Sequence, residues 1–180
     1  MKEHQTSFAG VAVCALALFA TGTWAQTSGS ANRLTPGDST FATKAAQGGM
    51  AEVKLGELAK EKASSQAVRD FGQKMIDDHT KANDELKGIA GRKSITLSTS
   101  LDSKDQATYD RLSKLSGPAF DRAYMRDMVS DHRTDVNEFK REANSGTDTE
   151  LKSFAAKTVP TLEEHLRMAE STEGRVKTEK

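Results

Sequence analysis

The chain has 180 residues, a length typical of one domain. Its 26 basic residues equal its 26 acidic residues, which argues against nucleic acid as the main partner, because phosphate binding needs an excess of positive charge on one face. A hydrophobic fraction of 36% with 29% charged residues is typical of a small, well-hydrated helical protein.

The N-terminus has the pattern of a secretory signal. Residues 8–20, FAGVAVCALALFA, form an apolar run that is too short to cross a bilayer comfortably. Thr23 and Ala25 then supply the small residues that a signal peptidase recognises. We therefore predict a signal peptide over residues 1–25 and export, most simply to the periplasm, with no transmembrane domain left after cleavage. The alternative is an uncleaved signal that tethers the protein to the membrane.

Cleavage would remove Cys14, the only cysteine of the chain. A mature chain without cysteine has no disulfide framework, no thiolate nucleophile and no Cys-based metal site.

The remaining chain predicts helices separated by loops. Residues 26–37 are rich in Ser and Gly and predict a flexible linker. Residues 38–172 then show 3.6-residue periodicity. The first long helix is predicted from a cap at Asp38 or Ser39 to about Lys62, and the second from Ser64 or Ser65 to about Gly91.

A polar loop and a short helix come next, with residues 103–106 as a capping box. The third long helix is predicted to start at Gly117-Pro118 and to end before Gly146. The fourth starts from a capping box at residues 147–150 and contains Pro160, which should kink it. Residues 173–180 are predicted to be a charged tail.

These elements predict an all-α protein, a four-helix bundle with a short extra helix in the crossover between the second and third long helices. Three glycines of the first helix are costly inside a helix. We expect close approach to a neighbouring helix at these positions, Gly48, Gly49 and Gly56.

One cassette occurs twice in this pattern. MIDDHTKANDELK starts at Met75 and MVSDHRTDVNEFK starts at Met128, each with Asp-His at the same place. The cassettes supply His79 and His132, and the fourth long helix supplies His165. Each histidine lies on the apolar stripe of its helix, and Glu52 interrupts the stripe of the first helix.

The four positions lie at similar heights if the two helical hairpins are level, so they could form one polar layer in mid-bundle. Such a layer is costly unless its members satisfy one another or hold an ion. Three imidazoles and a carboxylate suit a divalent transition metal, zinc or copper by ligand type, with iron or manganese as further options. The alternatives are a metal-free hydrogen-bonded layer and a pH-sensitive histidine cluster.

Three methionines share helix faces with these histidines. Met75 and Met128 lie four residues before a histidine and Met168 lies three after one. Thioether ligands would favour copper, but filling of the core explains the same pattern. The acids that precede the histidines lie about 100° around each helix, so we interpret Asp78, Asp131 and Glu164 as solvated or interhelical partners rather than as ligands.

Four blocks of the chain resemble a known family. They are FATKAAQGGMAEVKLGELA, VRDFGQKMIDDH, GPAFDRAYMRDMVSDH and TVPTLEEHLRMA. In this order, over residues 41–170, they resemble the bacterial domain-of-unknown-function 4142 family, whose exported members are labelled outer-membrane or periplasmic proteins. The resemblance implies a ferritin-like fold and no specific activity.

Di-iron chemistry, which a ferritin-like fold suggests, is not favoured by these residues. A di-iron bundle uses Glu-x-x-His, whereas Ile76, Val129 and Leu162 stand three residues before the histidines. Two functions remain: an exported metal-binding bundle, and a non-enzymatic envelope or stress-related protein with a metal-free polar layer. An enzyme ranks third, because no nucleophile–base pair or phosphate-binding loop is visible.

Overall fold

The computed structural model of the chain describes residue 1 and residues 34–178. The predicted signal peptide and most of the predicted linker lie outside the described residues. Five α-helices, and no strand, make up the described part of the chain: α1 (Pro36–Lys62), α2 (Gln66–Lys93), α3 (Ser103–Leu112), α4 (Gly117–Ser145) and α5 (Thr149–Thr178). The prediction of an all-helical protein is confirmed.

The first helix begins slightly earlier than predicted. Thr35, and not Asp38 or Ser39, is the N-cap, and its side chain accepts a hydrogen bond from the amide of Asp38. The Asp38 carboxylate in turn accepts from the amide of Thr35 at 2.8 Å. This capping box and the Pro at the first helical position stabilise the start of α1. Residues 36 and 37 are therefore helical, although the sequence pattern assigned them to the linker.

Three other helix ends differ from the predictions. Asp148, and not Thr147, caps α5, because its carboxylate accepts from the amide of Leu151 at 3.1 Å and its carbonyl accepts from the amide of Lys152 at 3.0 Å. Asp102, and not Ser103, caps α3, because its carboxylate accepts from the amide of Asp105 at 2.8 Å. At the other end of the chain, α5 runs without interruption through Pro160 to Thr178. Residues 173–178, which were predicted to belong to a charged tail, continue this helix because Val176 is buried in the core. The kink at Pro160 stays a prediction.

The four long helices pack around one interior. The closest pairs are α1 with α2 and α4 with α5, and contacts of α2 with α5 and of α1 with α4 join the two pairs. The core consists of two apolar clusters. The first contains Leu55, Phe71, Met75, Tyr124, Met128 and Ala169, and the second contains Phe41, Leu86, Val136, Phe139, Phe154 and Leu162, among others.

Close helix approach occurs at two of the three glycines predicted for it. A Cβ on Gly56 would lie 2.6 Å from the carbonyl oxygen of Gly72, and a Cβ on Gly49 would lie 2.2 Å from Asn83 Oδ1. A Cβ on Gly48 would meet nothing within 4 Å, so the prediction for Gly48 is wrong. Gly56 and Gly72 together let the backbones of α1 and α2 come into contact.

Each helical hairpin contributes a carboxylate that accepts hydrogen bonds from the turn of the other hairpin. Asp121, on α4, accepts from the Ser64 hydroxyl at 2.6 Å and from the Ser65 amide at 2.9 Å, in the α1–α2 turn. Asp38, on α1, accepts from the amide of Thr147 at 2.9 Å, in the α4–α5 turn. Both carboxylates are buried. They stabilise the two turns at opposite ends of the helices.

Candidate metal centre

A polar layer separates the two apolar clusters. In each long helix, one polar residue stands between the segments that supply the first and the second cluster. The relative exposures are 0% for Glu52, 7% for His79, 0% for His132 and 1% for His165. Four groups of this kind at one level of the core are costly to bury unless they find partners.

The three histidines of this layer lie against one another. The ring centroids of His79 and His165 are 5.4 Å apart, those of His132 and His165 are 5.4 Å apart, and those of His79 and His132 are 5.8 Å apart. One ring nitrogen from each residue lies within 4.8 Å of the other two. Three helices, α2, α4 and α5, therefore each present one imidazole to a common centre.

His132 has one nitrogen bound and one free. Its Nδ1 lies 3.0 Å from the carbonyl oxygen of Met128, one turn earlier on α4. A carbonyl can only accept, so Nδ1 carries the proton and donates it. In the neutral ring Nε2 then carries an unprotonated lone pair. This buried atom has no hydrogen-bond partner among the described residues.

His165 is oriented in the same way, but by a side chain of another helix. Its Nε2 lies 2.9 Å from Asp78 Oδ2 on α2, and the N–H group at this nitrogen donates a hydrogen bond to the carboxylate. Asp78 also pairs with Lys74 at 3.1 Å. The buried Nδ1 of His165 is left as a lone pair without a hydrogen-bond partner in the described part of the chain. A carboxylate on the outer nitrogen is a common support for metal-binding histidines.

His79 supplies the third nitrogen. Its buried Nε2 likewise has no hydrogen-bond partner among residues 34–178. Burial lowers the pKa of His79 well below its usual value, and the neighbouring His132 and His165 lower it further. Burial also lowers the pKa of His132, to about 4, and that of His165. All three rings are therefore neutral at neutral pH, which is the form that binds a metal.

Glu52 is buried at the side of this cluster and is not one of its three members. Its Oε1 lies 3.8 Å from Nδ1 of His132, the nitrogen already bound to a carbonyl. Burial raises the pKa of Glu52 well above its usual value, and the carboxylates of Asp131 and Asp135 raise it further. A carboxyl must lose its proton before it can bind a metal. Glu52 lies in the same layer as the histidines and next to His132, and coordination by its carboxylate therefore stays a prediction.

The methionines lie in or against the first apolar cluster. Met75 and Met128 are buried members of it, and Met168 packs against it. This position fits filling of the core, and coordination by sulfur stays a prediction. Met128 has a second contribution that the pattern did not indicate, because its carbonyl fixes the proton of His132.

The acids that precede the histidines are interhelical partners, as predicted. Asp78 reaches His165 from α2. Asp131, on α4, lies 3.6 Å from Lys104 of α3, and Glu164, on α5, lies 3.4 Å from Lys74 of α2.

A cavity leads from the surface to two of the histidines. It has a volume of about 240 Å³ and is lined only by residues of α2 and α5. His79 and His165 form part of its wall, together with Ala82, Thr158 and Thr161. At its outer rim Lys157 pairs with Glu85 at 2.7 Å. The cavity therefore reaches one side of these two residues, whereas the unpaired nitrogens of both rings are buried.

Two features of the site were not predicted from the sequence: the identity of the residue that Asp78 contacts, and the cavity. The bond from Asp78 to His165 joins residues 87 positions apart, and only the angular offset of Asp78 from His79 hinted that it could cross to another helix. For the cavity between α2 and α5, the sequence offers one sign, the small side chains of Ala82, Thr158 and Thr161 near the two histidines.

The chain is similar to proteins of two families. The model of the family described as "Domain of unknown function (DUF4142)" matches residues 23–172. No curated protein matches the chain. A crystal structure of a DUF305 fragment from Deinococcus radiodurans has a TM-score of 0.70 at 18% identity, covering 78% of this chain and 97% of that one.

A DUF305 protein from Streptomyces coelicolor, described as secreted, has a TM-score of 0.67 at 16% identity and covers 78% of this chain and 92% of its own. At these identities the two crystal structures are evidence of the fold alone. Among the described residues, no helix combines the length and the apolar character that a membrane crossing requires.

Proposed function

The chain belongs to the DUF4142 family, a domain of unknown function, and we propose that it is an exported protein that binds one divalent transition-metal ion through His79, His132 and His165. The observation that carries the proposal is the arrangement of the three rings. Each is neutral and buried, and together they bring one nitrogen apiece to within 4.8 Å of the others. On His132 and His165 one nitrogen is held by an oxygen acceptor, and the second has no hydrogen-bond partner among residues 34–178.

The distances fit a metal ion. In a tetrahedral site with bonds of about 2.05 Å, three nitrogens lie about 3.3 Å apart. From a separation of 4.8 Å, each nitrogen would have to move toward the common centre by about 0.8 Å to reach such bonds. Small rotations of the rings supply a movement of this size without moving the helices.

Zinc and copper are the proposed ions. Three imidazoles with one open position are a common zinc set, and copper binds nitrogen ligands still more tightly in the divalent series. A carboxylate-bridged di-iron site needs several carboxylate ligands, whereas within residues 34–178 Glu52 is the one fully buried acid beside the rings. Met75, Met128 and Met168 would strengthen the choice of copper only if one of them turned its sulfur to the ion.

The metal-free alternative is less well supported. A structural layer that fixes helix register should satisfy its own hydrogen bonds. Here one nitrogen of each histidine has no such partner in residues 34–178. An unoccupied layer of this kind would cost stability, whereas a metal ion would satisfy all three lone pairs.

The fold and location that accompany this proposal are a ferritin-like four-helix bundle outside the cytoplasm. Four long helices pack in two hairpins, and the crossover between α2 and α4 contains the short helix α3. Export is supported by the apolar run of residues 8–20 and by the small residues Thr23 and Ala25 that follow it. Intact-mass measurement on protein from the periplasmic fraction should give Gln26 as the first residue. A full-length chain in the membrane fraction would contradict this.

Elemental analysis tests the metal proposal. Untagged protein should be exposed in turn to Zn²⁺, Cu²⁺, Fe²⁺ and Mn²⁺, freed of excess ion, and assayed for retained metal. We expect about one ion of zinc or copper per chain, and loss of it in His79→Ala, His132→Ala and His165→Ala. Leu86→Met, a volume-conserving change in the second apolar cluster, is the control and should retain the ion. Folded wild-type protein that retains no metal would overturn the proposal.

A further inference from the structure

The three histidines form an incomplete ligand set with an approach from one side. His132 enters the cluster from α4, and Glu52, from α1, lies beside it. The cavity of about 240 Å³ reaches the cluster between α2 and α5 and touches His79 and His165 but neither Glu52 nor His132. The larger opening therefore approaches the centre from the side of α2 and α5, whereas the cavity that touches His79 from the side of α1 and α4 has a volume of only about 20 Å³.

Resting on the proposed function, we propose that the bound ion keeps one coordination position facing this cavity, and that the position takes a small exogenous donor, water at rest and a small anion in exchange for it. Three protein nitrogens with a fourth, open position are the arrangement of zinc sites that bind or activate small molecules. Such a site differs from a closed, purely structural one in which the protein supplies every ligand.

Charge favours an anion at this position. Three neutral imidazoles leave the double positive charge of the ion uncompensated, so an anionic donor gains more Coulomb energy there than a neutral one. The walls of the cavity do not oppose this. Lys157 pairs with Glu85, and Lys81 lies 3.8 Å from Asp78, so each acidic group of the cavity wall has a basic neighbour.

Size limits the ligand. A volume of about 240 Å³ corresponds to roughly eight water molecules at about 30 Å³ each. It is below the range of about 300–1,000 Å³ typical of pockets for drug-sized ligands. The position is therefore suited to a donor of a few atoms rather than to a peptide or a nucleotide.

Cobalt and azide provide the test. Co²⁺ should be loaded into the full-length wild-type protein, and its visible absorption bands, which depend on coordination, followed while sodium azide is added. We expect a saturable spectral change with one azide per cobalt. Thr161→Leu, which places a larger side chain in the cavity wall, should weaken azide binding at least tenfold while cobalt binding is kept. Thr43→Leu, the same change at a half-buried threonine of α1 away from the cavity, should behave as wild type.

The outcomes separate the two proposals. Absence of binding of cobalt, zinc and copper alike would overturn the proposed function and this inference with it. Cobalt binding without any spectral response to azide would overturn the inference alone, because the protein would then occupy every position. Wild-type azide affinity in folded Thr161→Leu would overturn the assigned route. If Thr161→Leu does not fold, Ala82→Val takes its place, because it narrows the same cavity from α2. Weakened azide binding in Ala82→Val would support the assigned route, and wild-type azide affinity would overturn it.

Discussion

Replacing His132 by leucine should change stability in opposite directions with and without metal. The imidazole is fully buried, and its Nε2 has no hydrogen-bond partner within the described chain. Its Nδ1 donates to the carbonyl of Met128, which lies one turn earlier on α4, where it can also accept the helical bond from the amide of residue 132. The change therefore removes one unpaired buried nitrogen and leaves no carbonyl stranded.

The magnitudes follow from these contacts. A buried polar atom without a partner costs about 1–3 kcal/mol, and imperfect packing of the new side chain offsets part of that gain. In metal-free protein we expect His132→Leu to raise the free energy of unfolding by about 1 kcal/mol. At an ion concentration 1,000 times the dissociation constant, the wild type should gain about 4 kcal/mol that the variant lacks.

Urea denaturation, followed by circular dichroism with EDTA and then with Zn²⁺, measures both effects. Leu86→Met serves as the control, because it alters the core without touching a ring nitrogen, and it should keep the full metal-dependent gain. A loss of more than 2 kcal/mol in EDTA for His132→Leu would refute the reasoning. It would mean that the imidazole makes stabilising interactions in a metal-free layer.

Three further predictions concern the support of His165, the contact between α1 and α2, and a buried carboxyl near the end of α4. Asp78→Ala should weaken metal affinity by about 10–100-fold, because His165 would lose the acceptor that fixes its proton; isothermal titration calorimetry measures this, and an unchanged affinity would show that the carboxylate is dispensable. Gly72→Ala should lower the free energy of unfolding by about 1–3 kcal/mol, because the new Cβ would lie 2.9 Å from both Ala59 Cβ and the Gly56 carbonyl oxygen. The same change at the exposed Gly88 of α2 meets nothing closer than 3.6 Å and should stabilise by up to about 1 kcal/mol, so equal effects at the two sites would contradict the close approach. Burial, and then the Asp38 carboxylate, raise the pKa of Glu142 to about 7. The folded state therefore binds the proton of Glu142 more tightly than the unfolded state. The stability that this proton contributes is lost as the pH rises from about 4.5 through 7. Glu142→Gln should therefore melt at a higher temperature than wild type at pH 8 and show no such advantage at pH 4, and a constant difference between the two pH values would count against this assignment.

The sequence predicts the helices well because periodicity and capping are local. The apolar stripes define four long helices, and the Gly117-Pro118 start of α4 agrees with the structure. The predicted caps of α1 and α3 lie one to four residues after the observed caps. Thr35 precedes the predicted caps of α1, and Asp102 precedes that of α3, because the cap is decided by which side chain reaches the free amides.

The three histidines could be assigned to one interior layer from their positions on the stripes, but the details of the layer could not. Glu52 fits the same stripe rule, yet it lies beside His132 rather than within the cluster, because rotation of each helix about its axis is set by packing. The support of His165 by Asp78 and the cavity between α2 and α5 depend on the contact between two helices far apart in sequence. Periodicity within one helix contains no information about such contacts.

The exchanged carboxylates of Asp38 and Asp121 have a consequence for how the chain folds. A hairpin of α1 and α2 on its own would leave the amides of its turn without the acceptor that Asp121 supplies, and the α4–α5 hairpin would lack Asp38 in the same way. Neither hairpin therefore reaches its full stability before it docks on the other. We expect a single cooperative unfolding transition for the two hairpins, and we expect a peptide of residues 34–93 alone to be only partly helical.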